Sequence, residues 1–214
     1  MTGPRLPLAL KIAYTIWFVL WIPSYWLFNG PENFLWLCDV GNFVLLLALW
    51  REDRLWLSAL AVGVLLIQTA WILDFFVALG AGWHPIGGTE YMFEPADPLW
   101  VRGCSLFHVW VLPLLFACLR RLGYDRRAPL AWTALAWLVL PLTFVVTNPS
   151  RNINWLHQVF GVEQVLLPPL GWLLFCMVAY PVVLFWPAHL LLRRWFRPQP
   201  IPTGEPAWLT PAAR

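Results

Sequence analysis

The sequence predicts an all-α membrane protein, a polytopic bundle of six transmembrane helices with both termini in the cytoplasm. Of its 214 residues, 60% are hydrophobic and only 12% are charged, which excludes an ordinary soluble domain. Runs of about twenty apolar residues between short polar breaks are typical of membrane-spanning helices. The 17 Trp residues fit the aromatic belts that form at membrane interfaces.

Six apolar runs define the predicted spans. In chain order they are Leu8–Phe28, Phe34–Trp50, Leu55–Leu79, Val101–Leu119, Leu130–Val146 and Val165–Leu192. Prolines interrupt several of them, and neighbouring helices must then satisfy the carbonyls that each proline frees. We therefore expect one packed membrane domain over residues 1–196. The tail, residues 197–214, is rich in proline and is expected to be a disordered cytoplasmic segment.

Basic residues assign the two sides of the membrane. They occur before the first span, between the second and third, between the fourth and fifth, and after the sixth: Arg5, Lys11, Arg51, Arg54, Arg120, Arg121, Arg126, Arg127, Arg193, Arg194 and Arg197. The positive-inside rule places these regions in the cytoplasm of a multi-pass cell-membrane protein. The loop from Gly80 to Trp100 then lies outside, where its glycines and aromatic residues predict a flap at the membrane interface.

A few polar residues interrupt the apolar spans at similar depth. Cys38, Asp39 and Asn42 share one face of the second span, because residues three and four apart are neighbours on a helix. Asp74 in the third span and His108 in the fourth are expected at the same level, below the outer membrane face. Ionisable groups inside a membrane usually serve function. The outer loop after the fifth span adds Asn152, Asn154 and His157 as pocket residues.

These residues supply the groups of a nucleophilic centre. A thiol becomes a strong nucleophile when an imidazole takes its proton, and a carboxylate or amide can orient that imidazole. Cys38 and His108 fit the first two roles, while Asp39, Asp74 or Asn42 fit the third. Asn42 or an outer-loop amide is also expected to stabilise an oxyanion.

No metal, cofactor or nucleic-acid partner is predicted. The four cysteines lack the close spacing of zinc ligands, and the chain has no phosphate loop, dinucleotide fingerprint or HExxH motif. Basic patches beside membrane spans set orientation or meet anionic lipid more often than they bind nucleic acid. The expected partner is therefore a membrane lipid, as substrate or ligand.

Structural roles remain open for each of these residues. Asp39 and Asp74 could serve only as hydrogen-bond partners between helices, and His108 could be a packing histidine. A buried Cys38 could act as a small hydrophobic residue, and Cys104, one turn before His108, is a second thiol.

At these positions the sequence resembles the YwaF-type integral membrane proteins, a six-span bacterial group. The group carries Leu-Cys-Asp or Leu-Cys-Asn in its second span, matched here by Leu37, Cys38 and Asp39. Other features of the group are matched by Gln68 and Asp74 in the next span, by His108 early in the following one, and by Asn154 and Trp155 in the loop after the fifth span. A departure is Trp36, where the group is expected to carry histidine.

The group is in turn similar to a transmembrane acyltransferase of ether phospholipids and, more remotely, to the androgen-induced hydrolases of fatty-acid esters. The resemblance implies Cys38 as acyl-accepting nucleophile and His108 as general base. We therefore expect an integral membrane acyltransferase or lipid-ester hydrolase with its centre in the outer leaflet. Two other hypotheses stay open: a transport or binding protein that holds an ion or small ligand in the same pocket, and a non-enzymatic membrane scaffold.

Overall fold

A computed structural model describes residues 6–159 and 162–196, which form an almost entirely helical bundle. The helices are α1 (Leu8–Asn29), α2 (Leu37–Arg51), α3 (Arg54–Ala81), α4 (Leu99–Cys104), α5 (Phe107–Leu122), α6 (Ala128–Val146), α7 (Pro169–Ala179) and α8 (Trp186–Trp195). A π-helical segment, Tyr180–Phe185, joins α7 to α8. Two short strands, β1 (Gln158–Val159) and β2 (Val162–Glu163), pair antiparallel. The predicted tail, residues 197–214, lies outside the described residues.

Five helical segments are long and apolar enough to cross a membrane. They are Leu8–Asn29, Arg54–Ala81, Leu99–Leu122, Ala128–Val146 and Pro169–Trp195. Large apolar side chains on their outer faces are exposed, for example Leu27 at 75% and Val145 at 78%. An apolar surface of this extent is stable in contact with lipid but not with water. The described chain is therefore that of a multi-pass membrane protein.

The predicted second span is shorter than the others. Residues Pro31–Leu35 form a 3₁₀ turn, and α2 begins only at Leu37 and has 15 residues. At 1.5 Å per residue it is about 22 Å long, which is less than the roughly 30 Å of a bilayer's hydrocarbon core. As a result Cys38 and Asp39 lie in the first turn of α2 instead of further along a full-length span.

Helix α3 is central, because it packs against α2, α5, α6 and α8. Close approach to α6 depends on Gly63, since a Cβ there would lie 1.9 Å from Nε1 of Trp132. The indole of Trp132 is itself fully buried. The core thus joins α3 and α6 closely, and a cavity at one end of the bundle is described below.

The opposite end of the bundle, where α2 ends and α3 begins, carries paired charges and is called the basic end here. Lys11 Nζ lies 2.7 Å from Oε1 of Glu52, and Arg127 donates from NH2 to Asp125 at 2.9 Å. Tyr124 and His189 share a hydrogen bond of 2.7 Å. The basic end is therefore closed by contacts among its own polar groups.

Candidate functional site

The other end of the bundle encloses a cavity of about 390 Å³, called the main cavity here. Its wall comes from α1, the start of α2, the second half of α3, the loop 82–98, the start of α5 and the segment after α6. The lining residues are Tyr25, Asn29, Asn33, Trp36, Cys38, Asp39, Ile67, Ala70, Trp71, Ile86, Gly87, Gly88, Tyr91, Asp97, Ser105, His108, Arg151, Ile153 and Trp155. This volume lies within the range of about 300–1,000 Å³ that is common for small-molecule sites.

Cys38 lies in the wall of this cavity because of how α2 starts. Asn154, which is 117 residues away in sequence, caps the helix by accepting a hydrogen bond at 2.8 Å from the backbone N–H of Leu37. The first N–H groups of a helix have no acceptors within the helix, and the helix dipole is positive at this end. The thiol of Cys38, which is free and half-buried, lies in this first turn, at the positive end of the helix dipole.

His108 faces the same cavity from the start of α5, and its ring is held on two sides. Its Nδ1 lies 2.8 Å from the carbonyl oxygen of Ser105. A carbonyl only accepts, so Nδ1 carries the hydrogen and Nε2 is the basic nitrogen of the neutral ring. The indole of Trp71 stacks on the imidazole at a centroid distance of 4.6 Å and an angle of 13°. This arrangement fixes both the tautomer and the plane of the ring.

Asp39 is a buried carboxylate in the cavity wall, with only 2% of its surface exposed. Its Oδ2 accepts a hydrogen bond of 3.0 Å from Nδ2 of Asn33. Within residues 6–159 and 162–196, no ion pair joins Asp39 to a Lys, Arg or His. A buried carboxylate without a cation is costly, so its surroundings leave a charge unmatched.

Asp74, expected at the same centre, has a different role in the structure. It is fully buried at the end of α3 but does not line the cavity. Its Oδ1 accepts from the backbone N–H groups of Ile86 and Gly87 at 2.8 and 2.9 Å. Its Oδ2 bonds the hydroxyl of Thr89 and lies 2.9 Å from Nδ1 of His84. Asp74 thus fastens the loop 82–98 over the cavity.

The loop 82–98, predicted as a flap, lies against the bundle and forms one wall of the cavity. Arg102 donates from NH1 to the carbonyl of Met92 at 2.8 Å, and Phe93 stacks on Phe75 at 5.7 Å. Tyr91 reaches the cavity from this loop. Burial raises the pKa of the Tyr91 hydroxyl well above its usual value, which keeps it a neutral donor.

Three of the predicted pocket residues are engaged elsewhere. Asn42 faces α1, where its Oδ1 and its carbonyl accept from the hydroxyl of Tyr14 at 3.3 and 2.9 Å. Asn152 closes a turn by accepting from the N–H groups of His157 and Gln158 at 3.0 and 2.9 Å. The ring of His157 stacks on Phe144 at 5.2 Å, and burial lowers its pKa. None of the three lines the main cavity.

Gln68 and Asn154 line a second, smaller cavity of about 40 Å³. The two cavities share part of their walls, including Cys38 and Trp155. The side-chain amide of Asn154 is hydrogen-bonded to the main chain just before α2, since its Nδ2 donates to the carbonyl of Leu35 at 2.8 Å. Oε1 of Gln68 is buried and has no hydrogen-bond partner among the described residues. Gln68 is therefore the predicted pocket amide that remains available near the thiol.

Sequence reasoning missed several residues of the cavity wall. Tyr25 and Ser105 share a hydrogen bond of 2.5 Å, and both line the cavity. Ser105 lies three residues before His108, a spacing that could have indicated it. Nothing in the sequence indicated Tyr25 or Arg151, because their positions depend on how α1 and the segment after α6 meet.

The described residues contain no group of three His, Cys, Asp or Glu side chains arranged to hold a metal ion. Comparisons with known proteins give no relative: no family model, no curated protein and no solved structure matches this chain. The function must be argued from the cavity itself.

Proposed function

We propose that this protein is a membrane enzyme that forms an acyl-thioester on Cys38 from the ester of a lipid. The observation that carries the proposal is that Cys38 and His108 line one cavity, with Nε2 of His108 left as a base. In the first step the Cys38 sulfur bonds to the ester carbonyl carbon and the thiol proton moves to Nε2. The C–O bond of the ester then breaks, and Nε2 returns the proton to the departing alkoxide.

The second step completes either hydrolysis or acyl transfer. Water or an alcohol attacks the thioester carbonyl while Nε2 of His108 accepts its proton. The C–S bond then breaks, the product acid or ester is released, and Nε2 returns the proton to the Cys38 thiolate. Asn42, to which the sequence assigned the oxyanion role, does not line the cavity, so in this proposal the backbone N–H of Cys38 in the first turn of α2 takes that role. The resemblance to the YwaF-type proteins supports the same pair of residues.

We further propose that the cavity end faces the outside and that α2 is a short sixth crossing, with both termini in the cytoplasm. Lys11, Arg54 and Arg127 lie together with their acidic partners at the basic end. The positive-inside rule assigns such an end to the cytoplasm. In this orientation lipid of the outer leaflet is the nearest source of substrate.

A scaffold role explains the polar groups less completely. In a scaffold the polar side chains of different helices bond to each other, as Asn42 does with Tyr14 and as Asp74 does with its loop. Cys38, Asp39 and His108 instead line open space. A cavity of about 390 Å³ adds nothing to the locking of helices.

The test is formation of an acyl adduct on the purified protein. After incubation with phospholipids and simple lipid esters, wild-type protein should carry an acyl group on Cys38 that hydroxylamine removes, as measured by mass spectrometry. Cys38→Ala should lose the adduct, and His108→Gln should form it about 100-fold more slowly. Cys104→Ala is the matched control, because this half-buried thiol does not line the cavity and its loss should change nothing. An adduct that survives Cys38→Ala, or none on the wild type with any ester, would contradict the proposal.

A further inference from the structure

Asp39 is a buried carboxyl group for which the described residues offer no counter-ion. Oδ2 is bonded by the neutral amide of Asn33, and both Asp39 and Cys38 border the main cavity. Placing an unpaired carboxylate inside a membrane protein costs several kcal/mol by the general scale for buried charges, unless a cation or a proton compensates it. The compensation therefore has to come from whatever enters the cavity or from a proton.

The wall around Asp39 is aromatic. Five rings line the cavity, those of Tyr25, Trp36, Trp71, Tyr91 and Trp155. Trp36 and Trp155 meet edge to face at 5.8 Å and 76°, so they form an aromatic corner. Trp71 is stacked with His108 and Phe75, so the Trp36–Trp155 corner and the two tyrosines are the rings of the wall that remain for a ligand. A carboxyl group and aromatic rings in one cavity are the elements that recognise organic ammonium groups, because ring faces attract a cation and tolerate its alkyl substituents.

The other charged groups of the wall are placed differently. Arg151 is exposed and donates from NH2 to the carbonyl of Asn29 at 2.5 Å, while Asp97 is half-buried on the loop. His108 has its Nδ1 hydrogen directed at Ser105. Asp39 is thus the deepest charge, and the cation in the wall lies toward the surface. An entering cation would meet the buried carboxyl group of Asp39 in the cavity wall.

We infer that the main cavity binds an organic ammonium group through Asp39 and the aromatic wall. The identity of the substrate rests on the proposed function. If that function holds, the substrate is a cationic ester of a long acyl chain. Cys38 and Asp39 line the same cavity, so one substrate can present its scissile carbonyl to the first and a nearby ammonium to the second. Esters of choline and of amino acids have this geometry. The binding itself does not depend on the thiol.

The test uses two probes that differ in one atom. Lauroylcholine carries a quaternary ammonium, and 3,3-dimethylbutyl laurate has carbon in place of that nitrogen. Binding is measured on the Cys38→Ala protein in lipid nanodiscs through its Trp fluorescence, so no ester is consumed. We expect at least tenfold tighter binding of the cationic probe, and a ratio below about twofold in the Cys38→Ala, Asp39→Asn double variant.

Two further variants separate the site from general charge effects. Asp97→Asn removes the other carboxylate of the wall and should leave the preference intact. Tyr91→Leu removes a ring from the loop and should weaken the preference severalfold. Equal binding of both probes to the parent protein would overturn the inference. A preference that persists after Asp39→Asn would overturn it also. The acyl-adduct experiment on wild-type protein tests the enzymatic proposal independently.

Discussion

Two buried carboxylates, Asp39 at the start of α2 and Asp74 near the end of α3, occupy the same end of the bundle and have opposite surroundings. Asp74 bonds two backbone N–H groups, the hydroxyl of Thr89 and the ring of His84. Asp39 has one bond, from the amide of Asn33, and borders open space. A carboxylate whose oxygens are all engaged maintains structure, whereas one with free capacity is available to a ligand.

The largest effect is expected at the saturated carboxylate. Asp74→Asn removes the charge and replaces an acceptor oxygen with an NH₂ group, so donors of the loop 82–98 lose their partner. The free energy of unfolding should fall by about 1–3 kcal/mol. Thermal unfolding in detergent measures the loss, and hydrogen exchange at Ile86 and Gly87 should quicken.

The matched control for this variant is Glu94→Gln on the same loop. Its side chain is exposed, so the substitution should leave both measurements at the wild-type value. If Asp74→Asn were as stable as Glu94→Gln, then Asp74 would not fasten the loop, and the contrast with Asp39 would disappear.

The membrane-spanning helices could be predicted from hydropathy, because a whole segment must be apolar to lie in lipid. The apolar runs predicted at Leu8–Phe28 and Leu55–Leu79 correspond to α1 (Leu8–Asn29) and α3 (Arg54–Ala81). The second run includes Phe34, Leu35 and Trp36, which are apolar but precede the helix, since Pro31 opens a 3₁₀ turn. Composition cannot separate such a turn from a helix.

The sequence could predict the site only from the depth at which polar residues lie in the membrane. Equal depth grouped Cys38, Asp39, Asp74 and His108, and of these Cys38, Asp39 and His108 line one cavity. It could not tell which way Asn42 and Asp74 turn, because that depends on neighbours from α1 and from the loop. The loop reaches Asp74 through Gly87 and Gly88, whose φ angles of 88° and 102° suit glycine. Tertiary contacts of this kind leave no periodic pattern in the sequence.

A third aspartate, Asp125 at the basic end, extends the comparison to the effect of pH. Hydrogen bonds from Arg127 lower the pKa of the Asp125 carboxyl below its usual value. A carboxyl with a lowered pKa in the folded state adds stability above its unfolded pKa of about 3.9, and loses it as the pH falls through the folded value. Arg127 has a side chain 72% exposed, so solvent screens the pair and the effect should be smaller than at Asp74.

Thermal unfolding of Asp125→Asn and wild type, compared at about pH 7 and about pH 3, measures this contribution. The variant should be less stable at the higher pH, and the gap should narrow at the lower one. A gap that is the same at both values would mean that the charge of Asp125 does not contribute, and that only its neutral hydrogen bonds do.

The smallest effect on stability is expected at Asp39, although this residue is as deeply buried as Asp74. Asp39→Asn keeps an oxygen that can accept from Asn33 and removes a charge that lacks a partner among the described residues. The cost of an unpaired buried charge disappears with it, so the variant should unfold at the wild-type temperature or above it. A loss of stability as large as that of Asp74→Asn would show that Asp39 is a structural carboxylate. The contrast between Asp39 and Asp74 would then be wrong. Unchanged stability together with a lost preference for the ammonium probe would place the role of Asp39 in binding, because a purely structural carboxylate gives the reverse pair of results.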